Sequence, residues 1–138
     1  MRKICVIDGQ GGGIGSAIIK PLTAAAGGSI EIVALGTNAI ATAQMLKARA
    51  NRGASGENAI VCTVPTADII IGPVSIIMAN AMMGELTPAM ARAIATSPAR
   101  KLLLPLSQEN IEIVGLVQAP LPHLIDALID ENLKSFLE

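Results

Sequence analysis

Five glycines fall within seven positions, Gly9, Gly11, Gly12, Gly13 and Gly15, in the stretch CVIDGQGGGIGSAII from Cys5 to Ile19. What flanks them constrains the fold. Lys3–Ile7 is a short, branched, apolar run ending at Asp8, the pattern of a buried parallel strand. Ile14, Ala17, Ile18, Leu22 and Ala25 then recur at helical spacing. A strand that turns on glycines directly into a helix commits the chain to layered α/β architecture. Pro21 lies inside this helix, where its ring removes a backbone bond and predicts a kink or a division.

The spacing of the glycines limits what the turn can hold. G-x-G-x-x-G fits no register, because Ile14 or Ser16 stands where the last glycine is required. A phosphate loop of the G-x-x-x-x-G-K-[ST] kind is also excluded, since Ser16 follows Gly15 and no lysine is present to neutralise a triphosphate. G-x-x-x-G-x-G does fit, as Gly9, Gly13 and Gly15. Glycine permits a sharp turn and close approach of backbone to a pyrophosphate, and the helix start supplies unpaired amides and a positive dipole end. Asp8, Gly9, Gln10, Gly11, Gly12, Gly13, Ile14 and Gly15 are therefore candidate cofactor-binding residues. The competing reading is a packing turn in which Asp8 caps loop amides. Asp8 would repel a phosphate unless a metal intervenes or the loop amides tie the carboxylate down. An acid that holds ribose hydroxyls is expected at the end of the second strand. Leu35-Gly36-Thr37-Asn38 stands there instead, so Thr37 and Asn38 are the candidates for a ribose or a 2′-phosphate.

Further elements follow from pattern and punctuation. Ser29–Gly36 reads as the second strand. A helix capped by Thr37 or Asn38 runs to about Ala50, with Ile40, Ala43, Leu46 and Ala50 inward. Residues 51–57 read as a loop, and Asn58–Val64 and Asp68–Gly72 as strands. Three residues separate those strands, too few for a parallel crossover, so an antiparallel pair is expected. Lys101–Leu106 and Ile111–Val117 are expected to form a second antiparallel pair for the same reason. Between them lie a helix from about Val74 to Met83 that stops at Gly84, and one with Thr87 as cap and Pro88 at its first position. The last helix begins after Pro120 and Pro122, with Leu121, Leu124, Ile125, Leu128, Ile129 and Phe136 as its apolar stripe. The expected architecture is one domain, residues 1–138. It is a three-layer Rossmann-like α/β sandwich with a mostly parallel central sheet and antiparallel edge strands.

Composition removes whole function classes. The net charge is -1 and Phe136 is the only aromatic residue, so neither a basic field nor stacking platforms exist for nucleic acid. The longest apolar stretch, Ile69–Met83, is interrupted by Gly72, Pro73 and Asn80 and is too short to span a bilayer. The N-terminus lacks the apolar core of a signal peptide, and a cytoplasmic location is expected. Cys5 and Cys62 sit in apolar runs and read as small buried residues, with a redox pair as the alternative. Two cysteines and one histidine fall short of a zinc site, and no metal site is expected.

Outside the turn, Gly72, Pro73 and Ser75 follow a strand and can wall the crevice where open α/β sheets bind ligands. Asn80, Glu85 and Thr87 are polar residues in or beside an apolar run that can contact a ligand or cap helices. Asp8 and Asn80 are the candidates for catalytic roles. Met78, Met82 and Met83 read as core or subunit interface. His123 with Asp126 and Asp130 reads as a surface face, since no nucleophile is paired with it. Lys47, Arg49 and Arg52 read as favourable charge at a helix C-terminus.

Taken together, ICVIDGQGGGIG, ALGTNAIAT, GENAI, ADIIIGP, MANAMMGELTP and IEIVG resemble an uncharacterised family of small bacterial Rossmann-like proteins, a domain-of-unknown-function family. The resemblance spans nearly the whole chain and implies a stand-alone bacterial protein, with no activity or catalytic residue to carry over. The first turn alone is similar to that of short-chain dehydrogenases. Their Tyr-x-x-x-Lys is impossible here, because the chain has no tyrosine. Three readings follow. The first is a nucleotide-binding module, a sensor or accessory subunit, that takes NAD(P) or another adenine nucleotide and pairs as a homodimer. The second is a small enzyme for a phosphorylated metabolite, with Asp8 as metal ligand or acid/base. The third is a structural or partner-binding protein whose turn holds nothing.

Overall fold

The computed structural model describes residues 1–138. Five strands, β1 (Arg2–Asp8), β2 (Ile30–Gly36), β3 (Arg52–Ser55), β4 (Ile69–Pro73) and β5 (Arg100–Leu104), form one sheet in the order β3-β2-β1-β4-β5. Every pairing is parallel. The chain runs outward from β1 to β3, then returns to the other side of β1 for β4 and β5. This is the doubly wound order of a Rossmann-like fold, with its switch point between β1 and β4.

Helices cover both faces. On one side, α1 (Gly13–Ala26), α2 (Ala39–Lys47) and the C-terminal helices α5 (Leu121–Ala127) and α6 (Lys134–Leu137) pack on Ile4, Val6, Ile32, Ala34, Ile69 and Ile71. On the other, α3 (Glu57–Thr63), α4 (Pro88–Thr96) and the segment after β4 pack on Cys5, Ile7, Val33, Leu35 and Ile70. Alternate residues of β1, β2 and β4 thus face opposite cores, and these central strands are apolar on both faces. The C-terminus is tied to the start of β1. The Arg2 guanidinium donates to the Phe136 carbonyl and lies 4.6 Å from the Phe136 ring centroid.

The sheet has no antiparallel edges, and this corrects the expected pairing at both ends. Asn58–Val64 is not a strand. It is helix α3 and the start of a short 3-10 turn, with Ile60 and Val64, one helical turn apart, buried. The third strand is instead Arg52–Ser55, inside the span read as a loop. It carries no apolar signal because all four residues are exposed at an edge. Its pairing with β2 is specified by backbone and by Gly53, where a Cβ would stand 2.8 Å from a Thr42 methyl carbon and 3.1 Å from Leu46. Ile111–Val117 is no strand either. It runs without regular structure and leaves Val114 98% and Val117 86% exposed. With these changes each connection between consecutive strands holds a helix, as parallel strands require.

Three helical expectations also change. α2 ends at Lys47 and buries Ala41, Thr42 and Met45, while Ile40 and Leu46 are exposed. α2 approaches the glycine turn through the backbone of Ala41, which lies against Gly12. The stretch from Val74 to Met83 holds only a 3-10 turn, Val74–Ile77, followed by tight turns in which Asn80, Met82 and Met83 have positive φ. Cys62 is exposed on α3, whereas Cys5 is buried in β1 and both are free thiols. Burial pushes the Cys5 thiol up to about 11. α1 runs undivided through Pro21. Thr87 caps α4 as expected, its hydroxyl accepting from the Met90 amide at 3.2 Å.

Candidate functional site

At the carboxyl end of the sheet, the switch point between β1 and β4 opens into a crevice of about 290 Å³. Asp8, Gln10 and Ile14 line it from the glycine turn, Pro73 and Ser75 from the end of β4, and Met82 with residues 106–109 close it. A larger concavity of about 630 Å³ adjoins it under residues 111–119, sharing Leu106 and Ser107. Nine of its 13 lining residues are hydrophobic, and none belongs to the turn. The smaller crevice is therefore the chemically equipped one.

The five turn glycines divide by what a side chain would meet. At Gly9 a Cβ would stand 2.5 Å from the Met82 sulfur and 2.6 Å from the Thr37 hydroxyl oxygen. At Gly15 it would stand 2.5 Å from the Met45 sulfur and 3.0 Å from Asp8 Cβ. Gly12 has φ +74° and would bring a Cβ to 2.7 Å from the Ala41 carbonyl oxygen. Packing and backbone geometry account for these three. Gly11 and Gly13 are different, since a Cβ at either meets nothing within 4 Å. Their amides also make no hydrogen bond within the protein.

Asp8 occupies the start of α1. Its carboxylate accepts from the Gly9 amide at 2.8 Å and the Gly15 amide at 2.7 Å, and it is 4% exposed. Gly12, the cap position of α1, has no side chain to offer, so Asp8 supplies the cap from β1. Burial pushes its carboxyl above the ordinary carboxylate value, the Gly15, Gly9 and Ile14 amides oppose that, and the Glu85 charge adds to it.

The residues named at the end of β2 are brought together, but on a protein group. The Thr37 hydroxyl donates to Glu85 Oε1 at 2.7 Å, the Asn38 side-chain amide donates to the same oxygen at 2.8 Å, and so does the Gln10 amide at 2.8 Å. Burial works against the charged form of Glu85, yet these donors outweigh it and hold the carboxyl below its ordinary value. Asn38 also caps α2, its Oδ1 accepting from the Ala41 amide at 2.8 Å.

Several candidates sit elsewhere. Gly72 lies against β1, where a Cβ would be 2.5 Å from the Ile7 carbonyl oxygen, and its role is strand packing. Asn80 is exposed and does not line the crevice, its amide bonding the Leu86 carbonyl. His123, Asp126 and Asp130 are exposed on the C-terminal helices and line neither concavity. Arg52 pairs with Glu31 at 2.8 Å. Reading the sequence missed Ser107, Gln108 and Glu109, and Glu109 accepts from the Met82 amide at 3.0 Å. The available signal was a polar run directly after β5, at the carboxyl edge where such sheets bind ligands.

The fit to a nucleotide is uneven. Gly11 and Gly13 leave room and free amides for a phosphate. With Glu85 in place, the donors that would meet an adenosine ribose are taken. No cluster of three or more histidine, cysteine or acidic side chains is gathered to hold a metal ion. No helix is long and apolar enough to cross a membrane.

A family profile matches residues 3–137. The chain belongs to DUF3842, a domain of unknown function. No curated protein and no solved structure matches it. For DUF3842, then, the geometry above stands as the guide to chemistry.

Proposed function

We propose that this DUF3842 chain is a nucleotide-binding module, acting as a sensor or accessory subunit, that holds its ligand in the crevice between β1 and β4. A phosphate lies on the amides of Gly11 and Gly13, and the ligand is NAD(P) or another adenine nucleotide. One observation carries this reading. Packing asks for glycine at positions 9, 12 and 15 but not at 11 and 13, where open space and unpaired amides coincide. The position at the switch point of a doubly wound sheet supports it.

A second reading rests on Asp8. A carboxyl that burial pushes upward, at the wall of a crevice, is suited to proton transfer on a phosphorylated metabolite. Pairing of two copies as a homodimer is the third element of the proposal. The apolar residues exposed between Ile111 and Val117 favour it over a monomer.

The test begins with gently purified protein. The chain has no tryptophan or tyrosine, so it is nearly transparent in the near ultraviolet where a purine absorbs. An absorbance band with a matching mass shift in native mass spectrometry names the ligand. Gly13→Val then abolishes binding with the fold kept. Asp8→Asn removes turnover while sparing nucleotide affinity if the second reading holds. Wild-type protein that gains neither absorbance nor mass when titrated with NAD(P) and adenine mononucleotides refutes the first.

A further inference from the structure

Three donors aim at one oxygen at the carboxyl ends of β1 and β2. The Gln10 amide, the Thr37 hydroxyl and the Asn38 side-chain amide lie 2.8, 2.7 and 2.8 Å from Glu85 Oε1. Each donor is fixed by bonds that do not involve Glu85. Gln10 is held in the turn at φ 50°, and its carbonyl accepts from Asn38 Nδ2 at 3.0 Å. The Thr37 amide donates to the Asp8 carbonyl at 3.0 Å, and Asn38 is locked as the cap of α2. The donor set is therefore built by the turn and by β2, and the carboxylate enters it from the far side of the switch point.

Glu85 reaches these donors by its side chain alone. Its neighbours Ala81, Met82 and Leu86 are buried and anchor the backbone, while the Glu85 side chain is half-buried. It can leave by rotation about its own side-chain bonds without disturbing the core. No cation pairs with it, the single ion pair being Arg52 with Glu31. Neutral donors alone hold the charge, and such donors bind carboxylate and phosphate oxygens alike.

We propose that Gln10, Thr37 and Asn38 form an oxyanion subsite that Glu85 fills as a tethered stand-in and from which an anionic oxygen of the ligand displaces it. Gln10 belongs to both this subsite and the crevice, so one ligand can span the two. The subsite stands on its own geometry. Only the identity of its ligand as a nucleotide rests on the reading above, in which case a 2′-phosphate is the displacing group.

The experiment uses the full chain and small probes first. Glu85→Ala is expected to gain thermal stability on titration with formate or inorganic phosphate, and the double variant with Thr37→Val to lose the response. The ratio of the two responses distinguishes a carboxylate ligand from a phosphate one. In wild type, the nuclear magnetic resonance signals of the Gln10 amide and the Asn38 side chain shift with the same anions. This takes roughly tenfold higher concentrations, because Glu85 is a tethered competitor. The wild-type measurement decides the matter if Glu85→Ala does not fold. Neither anion stabilising the variant nor moving those signals overturns the subsite. In a second arm, NADP+ is expected to bind Glu85→Ala about tenfold more tightly than wild type, with NAD+ unchanged. Anion binding with no nucleotide binding to either protein leaves the subsite standing and removes the nucleotide reading. Equal binding of both nucleotides to both proteins, with no anion response, does the reverse.

Discussion

Neighbouring glycines in one turn should respond in opposite ways to the same methyl group. Gly12→Ala puts a Cβ on a residue with φ +74°, a conformation that costs an L-residue about 1–2 kcal/mol. The added carbon also sits 2.7 Å from the Ala41 carbonyl oxygen and 2.9 Å from Ala41 Cα, both backbone atoms of α2 that cannot rotate away. Overpacking of this kind adds roughly 1–3 kcal/mol. Together these give a loss of about 2–5 kcal/mol, a drop in Tm on the order of 10 °C for a chain of this length. Gly13→Ala meets nothing within 4 Å and lies in the first turn of α1 without positive φ. Removing a glycine from the unfolded ensemble there is expected to raise stability by about 0.4–1 kcal/mol. Urea and thermal unfolding followed by circular dichroism measures both, since the chain has no tryptophan for fluorescence. Equal destabilisation by the two substitutions would refute the reasoning. Position 13 would then need glycine for the fold itself, and the case for a ligand on its amide would lose its basis.

Other outcomes follow from the same geometry. Asp8 has a folded-state pKa raised above its ordinary 3.8, so its contribution favours the fold below that value and is lost as pH rises through the folded one. Glu85 has the opposite sign, its contribution being present above the ordinary 4.5 and lost as pH falls through its lowered value. Unfolding curves from neutral to acid pH should therefore show the wild type losing its advantage over Glu85→Ala below about pH 4.5 and gaining relative to Asp8→Asn. Thiol labelling under native conditions should modify Cys62 and spare Cys5 until the chain is unfolded, as read by mass spectrometry. Ser97→Ala removes an acceptor for the Ala99 amide at 3.1 Å and a donor to the Val64 carbonyl at 2.7 Å, both buried, and should cost about 1–3 kcal/mol in urea unfolding. Val114→Asp should shift sedimentation toward monomer if two copies pair through the exposed segment, and leave it unchanged if they do not.

What the sequence disclosed and what it hid follow from where each signal lies. The unit β1–turn–α1 is legible because strand, glycines and helix period are consecutive in the chain, and Thr87-Pro88 marks the start of α4 by local chemistry. The segment around Ile60 misleads because a seven-residue helix that buries one side chain has too few turns to show its period, and its β-branched residues mimic a strand. β3 is invisible because its stability comes from backbone pairing with β2 and none of its side chains is buried. The buried face of α2 is Ala41, Thr42 and Met45, and the apolar Ile40 and Leu46, which suggest a different face by their hydropathy, are largely exposed. At the site, the turn glycines were readable but their division was not. Only the position of Ala41, Met45 and Met82 separates glycines that packing demands from those it does not. The Glu85 bridge spans 48 positions to Thr37, and nothing local announces it.

The place of β1 in the sheet has a consequence for how the chain is made. β1 is synthesised before the other four strands, yet it is the central strand, and its partner on one side, β4, begins at Ile69. β1 and β2 can pair once residue 36 has emerged, but the other edge of β1 stays open until residues 69–71 have emerged as well. Throughout that interval an apolar run containing Cys5 presents unpaired backbone to the surroundings. Nascent chains halted between the second and fourth strands should therefore be the most prone to bind chaperones or one another, and that susceptibility should end when Ile69–Pro73 closes the edge.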